Sequence, residues 1–391
     1  MTTTTATITL NVPHFVGCSA HLTKIEALRT PGLLRALDLG TGAHAQETKY
    51  RAQAALRAAG ADALDGRVAI LHPELRRLEP GHDLAVAIGA AATPHARRWD
   101  DHVIVGELAL DGRLRPCRGG YAAGLAAVAA GRPVLCPLSM AADMQFAGAT
   151  VSAFETLAEV LDPRSVAPAV PGLCLAPQPQ LDPVPERLTE TFEAAAELVR
   201  RGRNVLLTGP VGAGKTLIAR RLAGALVPPT VEELQQLRAA WSIAGLPLPH
   251  GRPFRAPHHT ISYAGLLGAS IGGGRPGEVS LAQHGVLYLD EMPEFRTGNL
   301  IRDLAHALRV GSSTARDGSA LACPGVVIVG SASHCPCGWS RSTRNSRCAC
   351  RAGSSEVEAY ARRVAGFVAH FNMETVEVPA TARKGRKVTT S

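Results

Sequence analysis

The octapeptide Gly209-Pro210-Val211-Gly212-Ala213-Gly214-Lys215-Thr216 has the residue types and spacing of a phosphate cradle. Glycines let successive backbone N–H groups turn inward around phosphate oxygens, and a helix starting behind them presents its N-terminus to the same anion. Lys215 would reach the β- and γ-phosphates of a nucleotide, and the Thr216 hydroxyl would ligate Mg²⁺. Only five of the 41 basic residues are lysines (Lys24, Lys49, Lys215, Lys384 and Lys387), so the chain uses arginine almost wherever a positive charge suffices. Lys215 therefore marks a position where a compact ammonium is needed.

A second constellation lies downstream. Val286-Leu-Tyr-Leu-Asp290-Glu291 is an apolar run ending in two acids. Asp290 would hold Mg²⁺ through water, and Glu291 would orient and deprotonate the water that attacks a phosphoryl group. Acids after a strand are common, so specificity comes from pairing this run with the glycine loop. Together they point to ATP hydrolysis. Cys335-Pro-Cys337 and Cys348-Ala-Cys350 form two C-x-C pairs, and four thiolates would suit tetrahedral Zn²⁺. The spacing is tighter than the usual C-x-x-C knuckle, and a loop of reduced cysteines is an equal reading. Arg341, Arg344, Arg347 and Arg351 flank the pairs. His258 and His259 have no acidic or cysteine partner at ligand spacing, which assigns them to loop structure.

These residues need elements to carry them. Asn204–Thr208 reads as a buried strand entering the glycine loop, and Thr216–Leu226 as the helix leaving it. Gly285–Asp290 and Val326–Val329 are continuous apolar runs, the pattern of central strands in a parallel sheet covered on both faces. Leu188–Arg201 is helical. Upstream, Ile8–Val12, Arg67–Leu71, Val103–Val105 and Pro133–Pro137 read as strands, and Glu47–Ala59 and Tyr121–Ala130 as helices. A proline-rich stretch separates the halves. The expected organisation is an α/β domain over 1–162, a linker over 163–185, a nucleotide-binding domain over 186–379 and a basic tail over 380–391.

At 391 residues, two domains are expected, and 46% hydrophobic residues supply ordinary cores. The N-terminus lacks a basic segment followed by an apolar one, and no uncharged apolar run reaches the ~18 residues of a membrane helix. A soluble cytoplasmic protein without membrane partners is expected. An odd count of nine cysteines argues against a disulfide framework. The net charge of +8 is uneven: residues 1–150 carry +2 and residues 301–391 carry +7. The basic C-terminal part fits an acidic partner such as nucleic acid, and equally a solubilising surface. Aromatics at 4% do not indicate base-stacking platforms.

Several longer motifs resemble the ComM/YifB family of magnesium-chelatase-like AAA+ ATPases. They are Arg252-Pro-Phe-Arg-Ala-Pro-His-His-Thr-Ile-Ser262, Pro276-Gly-Glu-Val-Ser-Leu-Ala282, His284-Gly-Val-Leu-Tyr-Leu-Asp-Glu-Met-Pro-Glu-Phe295 and Cys335-Pro-Cys-Gly338, in the family's order. Asp83-Leu-Ala-Val-Ala-Ile-Gly89 and Gly106-Glu-Leu-Ala-Leu-Asp-Gly-Arg-Leu-Arg-Pro116 resemble its Lon-protease-like N-terminal domain, so the similarity spans about 7–379. The resemblance implies a Lon-protease-like α/β domain followed by a P-loop AAA+ domain with a parallel sheet. It also implies a ring-forming, typically hexameric ATP–Mg²⁺ motor acting on DNA as a branch-migration helicase. An ATP-binding scaffold that co-assembles with a complete homologue, and a chelatase-type metal-insertion motor, are the alternatives.

Departures from the family pattern carry their own expectations. Val86 stands where a Lon-type serine would fall, and no lysine lies between Lys49 and Lys215, so proteolysis is not expected. Ser333 and His334 replace the family's Asn-Pro, with Ser333 as a shorter polar sensor near the γ-phosphate. Phe371 stands where the family has an arginine that acts on the neighbouring subunit's ATP, a contribution worth roughly 10³–10⁵ in rate. Slow hydrolysis is therefore expected, with Phe371→Arg restoring speed or Arg362 or Arg363 substituting. After Val376-Glu-Val-Pro379 comes a basic tail where the family continues into a helical lid, so a chain without that lid is expected.

Overall fold

The computed structural model describes residues 6–30, 36–39, 43–61, 67–71, 78–91, 94–170, 183–268, 275–295, 299–314, 320–339, 348, 350 and 353–380. The chain divides into two compact units, the first comprising Met1–Ala176, Gln235–Pro249 and Ser270–Arg275, the second Pro177–Leu234, His250–Ala269 and Pro276–Ser391. Much of the proline-rich stretch and all of the basic tail beyond residue 380 lie outside the described residues. Among the described residues, no helix is long and apolar enough to cross a membrane.

The first unit is built on a seven-stranded mixed sheet. Its strands run Ala36–Asp38, Arg67–Leu71, Ser19–Thr30, Ala6–Val16, Val103–Ile104, Val134–Pro137 and Val151–Phe154 across the sheet. Ala6–Val16 and Ser19–Thr30 form a long antiparallel hairpin, and the last three strands are added in parallel. The hairpin's second strand was not expected, because Ser19–Thr30 mixes polar and apolar residues and needs its partner to declare a period. Helix Asp83–Ala91 is buried from Asp83 to Ala90. Val86 sits inside that helix at 0% exposure, in the unit's main hydrophobic cluster. Asp83 is buried too: Thr48 Oγ1 donates to it at 2.9 Å, and Arg51 lies 3.4 Å away and also bonds Glu107. Burial pushes the Asp83 carboxyl up to about 7 against the pull of Thr48 and Arg51.

The second unit contains a five-stranded sheet in the order Phe254–Arg255, Val286–Leu289, Val327–Ala332, Asn204–Thr208, Met373–Glu377. Every neighbouring pair is parallel. Parallel strands require crossovers, which cover both faces and make the strands apolar throughout. Leu206, Leu287 and Ile328 enter one core cluster, and Val205, Val286 and Val329 the other. Leu188 to Arg201 is mostly helix, observed at Thr189–Arg200 after a short 3₁₀ turn. Asn204 ties the sheet together from its edge of the strand: its Nδ2 donates to the Phe371 carbonyl at 2.7 Å, and its Oδ1 accepts from the Ile328 N–H at 2.8 Å.

Candidate functional site

The site lies at the C-terminal ends of the parallel strands, where a strand hands over to the helix behind it. Strand Asn204–Thr208 runs into the glycine loop, and helix Lys215–Ala225 begins directly after it. Gly209 and Gly214 have φ of +156° and +110°. A Cβ on Gly209 would stand 2.5 Å from the Val378 carbonyl oxygen, and one on Gly214 2.7 Å from Leu188 Cδ1. Both positions therefore require glycine, for conformation and for space. The Ala213 N–H donates to the Pro210 carbonyl at 3.2 Å, closing the loop of which Gly212 is part. Lys215 Nζ lies in the mouth, donating to the Gly209 and Pro210 carbonyls at 2.7 and 3.0 Å. Burial lowers the lysine's pKa, opposed by the charges of Asp290 and Glu291. Arg187 adds a bond from its guanidinium to the Ala213 carbonyl at 3.1 Å.

Strand Val286–Leu289 delivers Asp290 and Glu291 beside this mouth. Asp290 Oδ1 accepts from the Tyr288 hydroxyl at 2.7 Å, the Ser331 hydroxyl at 2.6 Å and the Glu291 N–H at 3.1 Å. Those donors hold one carboxylate oxygen and leave the other for a cation. The Tyr288 hydroxyl is also 3.3 Å from Thr216 Oγ1, which links the Thr216 hydroxyl and the Asp290 carboxylate through one phenol. Burial pushes the Tyr288 hydroxyl pKa upward, keeping it protonated. Glu291 has φ +47° and ψ +50°, left-handed for a residue with a side chain. Its N–H is held by both Asp290 Oδ1 and Ser331 Oγ, the latter at 2.9 Å. That grip fixes a strained backbone at Glu291.

Tyr288 and Ser331 were not picked out from the sequence. Their signal is faint but present: each is a hydroxyl near the C-terminal end of an otherwise apolar strand. Ser333 follows strand Val327–Ala332, and its N–H donates to the Tyr360 hydroxyl at 3.0 Å. His334 lies 3.6 Å from Glu377. His258 bonds Thr260 at 2.8 Å and packs on His259 with ring centroids 4.1 Å apart, the loop role expected of them. Arg252 and Arg255 act as clamps. Arg252 donates to the His284 carbonyl at 2.7 Å and to Glu233 at 3.0 Å, and Arg255 grips Glu278 with two bonds of 2.6 and 2.7 Å. Cys335, Cys337, Cys348 and Cys350 come together in space. Arg341, Arg344, Arg347 and Arg351 lie outside the described residues.

Phe371 ends helix Ser355–Phe371 and is 4% exposed, stacked on Phe367 with rings 6.4 Å apart and 13° between planes. Its side chain points into the core, so an arginine put there without other changes would be buried. Phe371→Arg is expected to destabilise by about 3 kcal/mol or more, because it buries a guanidinium without a partner and removes a packed ring. Thermal denaturation should show a lowered midpoint, with no gain in ATP turnover; a stable variant with faster turnover would contradict this. Arg362 and Arg363 on the same helix are exposed, and Arg363 lies 3.9 Å from Glu294, just past Glu291.

Comparison with known proteins places this geometry in context. A family model described as magnesium chelatase, subunit ChlI, matches residues 189–384, and a second, subunit ChlI of Mg-chelatase, matches residues 33–139. An uncharacterised protein of Mycobacterium tuberculosis (strain H37Rv) is 32% identical over 345 residues, covering 82% of this chain and 68% of that one. YifB of Escherichia coli K12 is 33% identical over 246 residues, covering 57% and 47%. Competence protein ComM of Haemophilus influenzae is 29% identical over 327 residues, covering 76% and 61%.

Proposed function

The chain belongs to the ComM/YifB family of magnesium-chelatase-like AAA+ proteins, and from that premise we propose that it is an ATP–Mg²⁺-dependent motor subunit acting on DNA, slow on its own. The observation that carries the ATPase reading is the hydroxyl relay from Thr216 through Tyr288 to Asp290, with Glu291 beside it and Lys215 across the mouth. In that arrangement the loop amides, Lys215 and the N-terminus of helix Lys215–Ala225 bind the phosphates. Bound Mg²⁺ would be held by Thr216 and Asp290, and would neutralise charge on the phosphoryl oxygens. Glu291 positions and deprotonates the attacking water.

The DNA part rests on the family and on the +7 carried by residues 301–391. Slowness rests on the resemblance: where the family carries an arginine that acts on a neighbour's ATP, this chain has Phe371, an apolar side chain buried in its own core. The same observation favours a second reading, a nucleotide-binding subunit that completes its site by co-assembling in a ring with a homologue that has the arginine.

One set of measurements tests both. Pure protein should bind ATP–Mg²⁺, retain single-stranded DNA with an affinity that falls as salt rises, and turn over ATP slowly with little DNA stimulation. Addition of a complete ComM-type homologue should raise turnover above the sum of the two. Failure to retain DNA at low salt sinks the DNA assignment, and fast turnover by this chain alone sinks the assisted-subunit reading.

A further inference from the structure

The cysteine pairs that the nucleotide site leaves unused converge on one point. Cys335 and Cys337 sit on a turn at the end of the strand Val327–Ala332 segment, closed by the Gly338 N–H donating to the Cys335 carbonyl at 2.9 Å. Cys348 and Cys350 follow after ten intervening residues of sequence. All four Sγ atoms lie within 4.8 Å of one another, and Cys348 Sγ approaches Cys335 Sγ to 3.5 Å. Four thiolates around a tetrahedral zinc with bonds of about 2.3 Å stand about 3.8 Å apart, so this cluster needs only small adjustment to close. Cys335 is 1% exposed and Cys337 exposed, which buries one side of the group and leaves another open to solvent for metal entry.

The same turn touches the phosphate loop. The Gly338 carbonyl accepts from the Val211 N–H at 2.9 Å. Gly338 has φ +84°, and a Cβ there would stand 2.5 Å from Val211 Cγ2. The backbone of the cysteine turn is thus packed directly on the tip of the loop that would cradle phosphates. Cys335 is also only three residues past the end of the strand that carries Ser331, the clamp on Asp290 and Glu291.

We propose that Cys335, Cys337, Cys348 and Cys350 bind one structural zinc ion, and that this ion sets the shape of the nucleotide loop through Gly338 and Val211. Binding exchanges four thiol protons for one Zn²⁺, and no electron moves. The metal joins two cysteine pairs that are ten residues apart in the sequence, and bringing them together would otherwise cost chain entropy. With the loop closed, the Cys335–Gly338 turn is held against Val211 and the cradle keeps its preorganised form. Without it, the turn loosens and the cradle must be ordered by the nucleotide itself. The second half of the proposal rests on the nucleotide-binding reading; the first does not.

The test uses the full chain purified without chelators. Elemental analysis should find one zinc per chain, and Cys348→Ser with Cys350→Ser should find none. Cobalt exchanged into the wild type should show the visible absorption of a tetrahedral tetrathiolate. Zinc stripped by a thiol-reactive mercurial, followed by thiol and zinc restoration, should weaken and then restore binding of a fluorescent ADP, roughly tenfold or more. Gly338→Ala should keep its zinc and yet bind that ADP less tightly. Lys215→Ala should also keep its zinc while losing nucleotide, which separates failure of the metal site from failure of the phosphate site. Absence of metal, iron in zinc's place, or zinc-free protein that binds the ADP as tightly as the zinc form would overturn the proposal.

Discussion

Lys215→Ala is expected to weaken ATP–Mg²⁺ binding by about 2–5 kcal/mol, roughly one and a half to three and a half decades in affinity. The ammonium stands at the mouth of the cradle, 2.7 Å from the Gly209 carbonyl and 3.0 Å from that of Pro210. A triphosphate arriving there exchanges those weak neutral acceptors for charged ones, and an alanine offers nothing in return. The remaining loop amides supply dipoles, not a full charge. Lys215→Arg should fall between, since a planar fork cannot occupy the place of a compact ammonium between two backbone carbonyls. Titration of a fluorescent nucleotide reads the effect directly. Wild-type affinity in the alanine variant would remove the phosphate-site assignment altogether.

Glu291→Gln is expected to leave nucleotide binding unchanged and to lower single-turnover hydrolysis by roughly 10²–10³-fold, the scale of a lost general base. An amide keeps the shape of the carboxylate but accepts no proton. The backbone should stay in place, because its left-handed conformation is held by Asp290 Oδ1 and Ser331 Oγ on the Glu291 N–H and not by the side chain. Equal rates in variant and wild type, at saturating ATP and enzyme, would show that another group prepares the water. Since the chain is expected to be slow before any substitution, the comparison belongs under single-turnover conditions with long observation. A complete homologue in the mixture would mask the effect.

What could be read without coordinates was local. The phosphate loop is contiguous, and its glycines answer a backbone demand stated within eight residues. The strand before it and the helix after it follow from a switch in hydrophobic period at the same place. Asp290 and Glu291 were legible because an apolar run ends in two acids in a chain that also carries the glycine loop. The strands Arg67–Leu71 and Asn204–Thr208 have the bounds their residues implied.

What tertiary structure decided was every relation between side chains far apart in sequence. Tyr288 meets Thr216 across 72 residues, and Ser331 meets Asp290 across 41, because strands that neighbour in the sheet do not neighbour in the chain. No pattern within a single strand marks which of its hydroxyls will face a partner. Phe371 stands where the resembled family has an arginine, yet the direction of a side chain at a helix end depends on how that helix is rotated against the sheet. Packing against Phe367 turned it inward. The cysteine pairs were visible as pairs, but their convergence, and the contact of the Cys335–Gly338 turn with Val211, are relations that only the folded chain shows. Sequence determined which groups are present and which short segments they share; the all-parallel sheet, by placing the C-terminal ends of its strands side by side, decided which of them act together.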